Sequence, residues 1–413
     1  MAERVTIVGA GIVGICTALS LLEKGAEVEV IDRDPPAEGA SHGNAGVISP
    51  WTCVPQSMPG VWKNVPKWLL DPEGPVALRW GYLPKFLPWA LKFLRAADET
   101  GLPAIGDAMS ALNRPNVDLY RRHLDGTGHE ALVGASMYVH VYRNPAEADL
   151  TQLAWRMRAE RDVPLQVVGE GELHEIEPAL SPGYKAAVLL KDQARALDPS
   201  AIGKALADKA RAMGATFRQS AVHKVQPAGD GGWTLLTDDG ELRAEKLVIA
   251  AGAWSARLLE PLGIKVPLEA ERGYHLVFQN PGITVNNSIM DTQGKFVASL
   301  MNAGVRCAGT AEFAGLDTAP DYRRAQVFSN LAKRLFPEIN TEDAVEWMGS
   351  RPSLPDSLPC LGEVPGHAGL FAAFGHSHYG FGMAPNTGRV VAEVVSGAMP
   401  NIDMAPYRID RFA

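Results

Sequence analysis

The chain has 413 residues, too many for one compact core, and is expected to form about two domains. It is 46% hydrophobic and 21% charged, with a formal net charge of −8 and no long basic run, which argues against a nucleic-acid partner. Its four cysteines are scattered without a CxxC pair, which disfavours a dithiol redox centre, a metal site and a disulfide scaffold. No apolar run reaches the ~18 residues of a membrane-spanning helix, and the first apolar stretch is broken by a glycine turn. We therefore expect a cytoplasmic protein without a signal peptide.

The first 50 residues carry a motif for binding a dinucleotide. A predicted strand at Arg4–Val8 runs into a glycine turn and a helix, and an acidic residue follows the next apolar run at about the 20-residue spacing expected. The glycines let the backbone turn tightly against a pyrophosphate, and the helix N-terminus faces that anion. The carboxylate takes ribose hydroxyl groups. The predicted contacts are Gly9, Gly11, Ile12, Val13, Gly14, Asp32 and Arg33.

The segment 62–94 is rich in aromatic residues placed among lysines and prolines. One interpretation is core packing together with a lid over a pocket, and this is the one we expect. The alternative is an amphipathic surface that lies on the inner face of the cytoplasmic membrane. The aromatic residues concerned are Trp62, Trp68, Trp80, Tyr82, Phe86, Trp89 and Phe93.

The rest of the chain contains strands and helices that predict an α/β fold. Strands are predicted at 137–142, 215–217, 247–251, 273–278, 305–309 and 369–373, a β-meander around 231–240, and helices at 199–213, 322–335 and 385–396. Nucleotide-type turns occur in three separated segments, so the nucleotide-binding domain is predicted to be discontinuous. Its predicted parts are 1–50, 150–265 and 346–413, and the predicted substrate-binding domain comprises 51–149 and 266–345.

Six ordered motifs together resemble the D-amino-acid oxidase family of flavoproteins, and more narrowly its bacterial D-amino-acid dehydrogenase and glycine-oxidase branch. They are the GAGIVG turn with Asp32-Arg33, the GASHGNAGVI segment at 39–48, AVHKV at 221–225, AAGAWS at 250–255, WMGSRP at 347–352 with DSLP at 356–359, and GHSHYGFGMAP at 375–385. The resemblance covers nearly the whole chain. It implies a Rossmann-like (GR2-type) FAD-binding domain and an α+β substrate domain built on an antiparallel sheet.

The same resemblance implies which residues lie against the cofactor. The 41–47 segment would pass over the flavin, the residue at 222 would contact adenine, and 251–254 would form a second nucleotide turn. The turn at 380–383 would face the flavin pyrimidine edge, where amides at a helix N-terminus stabilise the negative charge of reduced flavin. The implied contacts are Ser41, Asn44, Ala45, Gly46, Val47, Val222, Ala251, Gly252, Trp254, Gly380, Phe381, Gly382 and Met383. Relatives with covalently attached flavin use a cysteine near the strand that carries Arg351. This chain has Gly349 in that region, so the FAD is expected to be non-covalent.

Four residues are candidates for the substrate site. Arg351 matches the family arginine that clamps the substrate carboxylate, because a planar guanidinium binds a carboxylate through two parallel hydrogen bonds. Tyr274 stands where a tyrosine faces the substrate in D-amino-acid dehydrogenases; His275, next in a strand, would point to the opposite face. Some relatives have a second arginine at the position of His378. The histidine here weakens the expectation that two arginines clamp the substrate carboxylate. His42, in the flavin-facing segment, is the fourth candidate.

The predicted reaction is hydride transfer from the α-carbon of a D-amino acid to flavin N5, giving an imino acid and then a 2-oxo acid. No dedicated base is apparent in the sequence. Oxidation of secondary amino acids such as sarcosine, D-proline or hydroxyproline on the same fold remains an alternative. So do an NAD-dependent dehydrogenase and a non-catalytic flavin-binding subunit. The sequence leaves open whether the electron acceptor is a quinone or oxygen.

Overall fold

The computed structural model describes residues 3–229 and 231–412. The strands, in chain order, are β1 (Arg4–Val8), β2 (Glu27–Asp32), β3 (Val47–Ile48), β4 (Val76–Leu78), β5 (Val133–Tyr142), β6 (Leu165–Gly169), β7 (Ala186–Ala196), β8 (Thr216–Gln219), β9 (Val222–Pro227), β10 (Trp233–Thr237), β11 (Gly240–Ala244), β12 (Lys246–Ile249), β13 (Glu269–Phe278), β14 (Ser288–Asp291), β15 (Phe296–Met301), β16 (Gly304–Ala308), β17 (Ala311–Phe313), β18 (Ala344–Ser353), β19 (Cys360–Glu363) and β20 (Leu370–Phe374).

Helices connect these strands. The α-helices are α1 (Ile12–Glu23), α2 (Val65–Leu70), α3 (Leu83–Ala96), α4 (Leu102–Asn113), α5 (Asn116–Leu124), α6 (Leu153–Ala159), α7 (Glu170–Ile176), α8 (Pro199–Ala212), α9 (Ser255–Leu259), α10 (Arg323–Leu335) and α11 (Gly380–Val395). In the part of the chain that the structure describes, no helix is both long and apolar enough to cross a bilayer.

A six-stranded sheet holds the glycine turn at the N-terminus. Its order is β19-β20-β12-β1-β2-β8, with every pair parallel except β19 and β20. Helices α1 and α11 pack against each other and, with α8, bury the apolar side chains on one face of this sheet, while those on the other face form a second core cluster. Because the strands of this sheet are parallel, the turns after β1 and β12 lie at the same edge, where nucleotides bind in open α/β sheets.

An eleven-stranded, largely antiparallel sheet forms the second layer, in the main order β3-β7-β5-β14-β15-β16-β13-β17-β4. It takes β6 and β7 from inside the segment 150–265, and β18, which begins before residue 346, pairs with β13 along its full length. The predicted domain boundaries therefore need adjustment at these strands, which belong to the large sheet. Patterns within a short stretch of sequence do not show which sheet a strand joins, because that depends on pairing with strands distant in the chain.

The last helix begins five residues earlier than expected, at Gly380 instead of Pro385. A proline inside a helix cannot donate to the carbonyl four residues before it, so Pro385 leaves the oxygen of Phe381 without its helical partner. The hydroxyl of Tyr120 donates to that oxygen at 2.6 Å. A side chain from α5 thus replaces the missing bond, and the helix extends toward the cavity described below.

Candidate active site

A cavity of about 1550 Å³ is bordered by residues from both sheets. On one side lie the turns that follow β1, β2 and β12, and on the other lie β13 and β18 with the turn before α11. This volume exceeds the ~300–1,000 Å³ of most small-molecule pockets, so it suits a dinucleotide together with a second ligand.

The glycine turn after β1 is closed so tightly that side chains are excluded from it. A Cβ atom on Gly9, whose φ is +117°, would lie 2.3 Å from the carbonyl oxygen of Ala250, and one on Gly14 would lie 1.9 Å from the oxygen of Gly9. Helix α1 starts directly after this turn, and its N-cap residue Gly11 supplies no side-chain hydrogen bond. Gly11, Ile12 and Val13 border the cavity, so the N-terminus of α1 lies where such a helix end binds a pyrophosphate.

Asp32 lies at the end of β2 beside this turn. Its carboxylate accepts hydrogen bonds from the backbone amides of Ala10 at 2.6 Å and Asp34 at 3.1 Å. Burial raises the pKa of this carboxyl, and the two amides oppose the rise. The guanidinium of Arg33 lies 3.9 Å above the ring of Trp254, at the turn that follows β12. The two nucleotide turns predicted from sequence thus meet at one end of the cavity.

The segment between Ser41 and Val47 is fixed by hydrogen bonds from three parts of the fold. The hydroxyl of Ser41 accepts from the amide of Ile12 at 2.9 Å, and the side chain of Asn44 accepts from the amide of Gly46 at 2.8 Å. Arg306, on β16, donates to the carbonyl oxygens of His42 and Asn44 at 3.2 and 2.6 Å. Sequence reasoning missed Arg306; an arginine inside an otherwise apolar strand was the available signal.

The N-terminus of α11 also faces the cavity. Gly380, Phe381 and Gly382 border it, and among residues 3–229 and 231–412 the N-cap residue Tyr379 makes no capping hydrogen bond with its side chain. The uncapped amides of the first turn carry the partial positive charge of the helix dipole, which suits the electron-rich edge of a flavin. Of the predicted cofactor contacts, all border the cavity except Gly14, Gly46 and Met383.

Four side chains form a connected cluster on β13, β18 and the turn before α11. The Nη1 atom of Arg351 donates to Oε1 of Glu271 and to the carbonyl oxygen of Thr310, both at 2.9 Å. Nε2 of His378 is hydrogen-bonded to the same Oε1 atom, and the hydroxyl of Ser353 donates to Oε2 of Glu271 at 2.9 Å. We refer to Arg351, Glu271, His378 and Ser353 as the cavity cluster.

Register explains why the cavity cluster forms. Glu271 pairs with Arg351 across the antiparallel strands β13 and β18, so both side chains project from one face of the sheet. The guanidinium lies over Gly273, where an added Cβ atom would be 2.3 Å from Cζ of Arg351. Glu271 was missed from the sequence, although the alternation Glu271, Gly273, His275 marks one face of the strand.

Electrostatics keep Glu271 ionised. Burial alone would raise its pKa, but His378, Arg351 and the hydroxyl of Ser353 together lower it to about 2. Neighbouring His275 is neutral, because burial and the nearby Arg306 lower its pKa to about 3. Its ring stacks on Trp347, with centroids 5.1 Å apart, and its Nδ1 atom lies 3.2 Å from the carbonyl oxygen of Gly43.

Tyr274 does not join the cavity cluster. Although it borders the cavity, its hydroxyl donates to Oε2 of Glu312 at 2.6 Å and accepts from the amide of Asp321 at 3.0 Å. Arg272 lies 3.3 Å from the same Glu312, so residues 272 and 274 share the face opposite to Glu271. The predicted contact between the tyrosine hydroxyl and a substrate therefore has no geometric support, because that hydroxyl is committed elsewhere.

His42 is also directed away from the cavity cluster. Its Nδ1 atom lies 3.5 Å from Glu38, and its ring centroid is 5.9 Å from that of Trp347. Ser41 and Gly43 on either side border the cavity, whereas His42 is not among the described residues that do. Of the four candidates for the substrate site, the structure brings Arg351 and His378 together and leaves Tyr274 and His42 apart.

Proteins with similar sequences and structures support the same interpretation of this site. The family model DAO, described as FAD dependent oxidoreductase, matches residues 4–394. The chain is 36% identical to a D-amino-acid oxidase of Bradyrhizobium diazoefficiens and 34% identical to a D-amino acid dehydrogenase of Paramagnetospirillum magneticum, in each case over 99% of both chains. Its fold is similar to that of glycine oxidase from Geobacillus kaustophilus, with a TM-score of 0.74, 23% identity and 99% of both chains covered.

Proposed function

Because this chain belongs to the DAO family of FAD-dependent oxidoreductases, we propose that it oxidises D-amino acids to imino acids, which water hydrolyses to 2-oxo acids and ammonia. Two curated relatives that match it over nearly their whole length are named for oxidation or dehydrogenation of D-amino acids. The cofactor is FAD. No cysteine is among the described residues that border the cavity, which supports the expectation of non-covalent binding.

The observation that carries the proposal is the unused half of the Arg351 guanidinium. Its Nη1 atom is held by Glu271 and Thr310, whereas Nε and Nη2 have no acceptor among the residues the structure describes. A planar guanidinium fixed along one edge presents its remaining N–H groups in the geometry that matches a carboxylate. Arg351 also borders the cavity, so this free edge is accessible to a substrate.

The residues of the chain then bind and orient the substrate. Arg351 holds the α-carboxylate, which limits the directions in which the α-carbon can point and so brings its C–H bond toward the flavin. FAD, when bound, accepts the hydride. The amides at the N-terminus of α11 stabilise the negative charge that develops on that side of the site.

Anaerobic mixing with single substrates tests the proposed function. The purified protein should be yellow, and its flavin absorbance should bleach with D-alanine but not with L-alanine. Sarcosine and D-proline in the same panel test the secondary-amine alternative, which predicts bleaching by these compounds instead. Admitting oxygen or a soluble quinone afterwards identifies the electron acceptor from the rate at which the absorbance returns. Flavin that no amino acid or N-alkyl amino acid bleaches would refute the proposal.

We propose in addition that the segment 61–96 contacts an anionic membrane surface. The expected lid over a pocket is supported, because Trp62, Trp68, Phe86, Trp89 and Phe93 border the cavity. Trp80 and Leu70 lie outside the cavity lining and are 70% and 84% exposed. Exposed lysines lie among these apolar side chains at positions 63, 67 and 85, a composition typical of helices that lie on a bilayer. Co-sedimentation with phosphatidylglycerol vesicles tests this contact, and equal recovery with neutral vesicles would contradict it.

A further inference from the structure

We propose that His378 is the base that removes a proton from the substrate ammonium group, and that Glu271 is the positioning residue that selects the imidazole tautomer able to do so. This inference rests on the proposed function, because it concerns the same substrate. An amino acid at neutral pH carries its amine as an ammonium group, and a hydride leaves the α-carbon readily only when the nitrogen lone pair is free. Some group must therefore accept the proton first.

The tautomer follows from the ionisation of Glu271. A carboxylate accepts hydrogen bonds and cannot donate them, so the nitrogen of His378 that contacts it must carry the hydrogen. That nitrogen is Nε2. In a neutral imidazole the other nitrogen, Nδ1, is then left with a lone pair. A carboxylate that fixes the tautomer of a catalytic histidine in this way is a recurring arrangement in enzymes.

The side chain of His378 is accessible from the cavity. The His378 side chain is 32% exposed, and the residue borders the same cavity as Arg351. No described residue donates a hydrogen bond to Nδ1, whereas Nε2 is committed to Glu271. Glu271 holds both Arg351 and His378 through one oxygen atom, so a substrate whose carboxylate is bound by Arg351 lies in the same part of the cavity as the imidazole.

The charged and titratable groups around His378 lie on β13, β18, α6 and its own turn. Glu271 on β13 and Arg351 on β18 carry opposite charges and compensate each other. Tyr379, the next residue of the same turn, is neutral because burial raises its pKa far above the usual range, and Arg158 on α6 lies beyond it. Glu271 is therefore the carboxylate in direct contact with His378, and Arg351 binds the same oxygen atom of that carboxylate.

The step balances in atoms and electrons. The N–H bond of the ammonium group breaks, its electron pair stays on the substrate nitrogen, and the proton forms a new bond to Nδ1 of His378. The neutral amine then supplies the electron pair for the C=N bond as the α-carbon loses its hydride. The two electrons leave with the hydride, so the substrate is oxidised and the histidine changes only its protonation.

The variant His378→Gln tests the role of His378. A glutamine amide can donate to Glu271 as Nε2 does, but it offers no basic nitrogen. In the native holoenzyme, the rate of anaerobic flavin reduction by D-alanine should become independent of pH once the His378 imidazole is neutral. In His378→Gln it should fall at least tenfold at pH 7. Above pH 7, the rate of flavin reduction in His378→Gln should rise about tenfold per pH unit until the substrate ammonium group is itself deprotonated. His129→Gln, an exposed histidine far from the cavity lining, should match the native profile.

Binding of a 2-oxo acid separates the base from the carboxylate clamp. Pyruvate has the carboxylate but no amine, so its dissociation constant, measured from the flavin spectrum, should stay within about twofold in His378→Gln. In Glu271→Gln, which releases both Arg351 and His378, pyruvate should bind more weakly and the pH profile should also steepen. Superimposable pH profiles for native enzyme and His378→Gln would overturn the inference while leaving the proposed function intact. A native enzyme that no D-amino acid reduces would instead overturn the proposed function.

Discussion

The two faces of strand β13 carry clusters of similar chemistry with different surroundings. On one face, Glu271 binds Arg351, His378 and Ser353 beside the cavity. On the other, Glu312 binds Tyr274, the buried Arg272 and the partly exposed Arg79. Both contain a buried carboxylate and a guanidinium. We refer to the second group as the core cluster.

The two clusters differ in whether the arginine nitrogens that lack hydrogen-bond acceptors can be reached from the cavity. Arg351 keeps two nitrogen atoms without an acceptor in the described part of the chain, and it borders the cavity. The nitrogens of Arg272 also lack good hydrogen bonds, but Arg272 is 1% exposed and no ligand can reach it. A buried ion pair is by itself weak evidence of function, and the access of the guanidinium group to the cavity is what distinguishes the two clusters. Three substitutions test this distinction.

Replacing Arg351 by lysine should have the largest effect. Lys keeps the charge but loses the planar edge that makes two parallel hydrogen bonds. We expect KM for D-alanine to rise about 100-fold, equivalent to ~2.7 kcal/mol, while FAD content and thermal stability stay near native values. Arg272→Lys is the matched control, and it should leave KM unchanged. Equal KM values for Arg351→Lys and the native enzyme would show that Arg351 is not the clamp.

Replacing Arg272 by methionine should affect folding and not catalysis. The substitution leaves Glu312 buried with fewer partners, and breaking a buried pair on one side costs about 3 kcal/mol. Urea denaturation of the holoenzyme should show this loss, while KM stays within about twofold of the native value. A large rise in KM at unchanged stability would mean that the core cluster serves the substrate site.

Replacing Tyr274 by phenylalanine should have the smallest effect. The hydroxyl group contributes a hydrogen bond to Glu312, and its removal should lower the free energy of unfolding by about 1–2 kcal/mol. Because this hydroxyl is turned away from Glu271 and Arg351, steady-state KM and kcat for D-alanine should remain near native. A KM that rises tenfold or more would restore Tyr274 as a substrate contact and contradict the assignment of the two faces.

The nucleotide half of the site could be predicted in detail because its determinants are local. A tight turn needs glycine within a few residues of a strand, and the acid that follows stands at a fixed distance along the chain. The predicted family, α/β fold and FAD cofactor are confirmed. The roles of the individual site residues stay predictions.

The substrate half could be predicted only in part, because its determinants are long-range. Alternation along a strand predicted that Tyr274 and His275 would point to opposite faces, but it could not say which face meets the cavity. That was decided by the pairing of β13 with β18 and by the position of α10 behind the sheet. The start of α11 depended likewise on Tyr120, which lies 261 residues away from its partner Phe381 in the chain.

The sequence alone determined that this protein binds a dinucleotide and that it resembles a flavin-dependent amino-acid oxidoreductase, and it singled out Arg351. Only the tertiary structure decided that Glu271, 80 residues before Arg351, holds this arginine and His378 through one oxygen atom. The reason is physical. A glycine turn is determined by residues that are neighbours in the chain. A buried carboxylate acquires the partners that keep it charged only when separate strands pair in register.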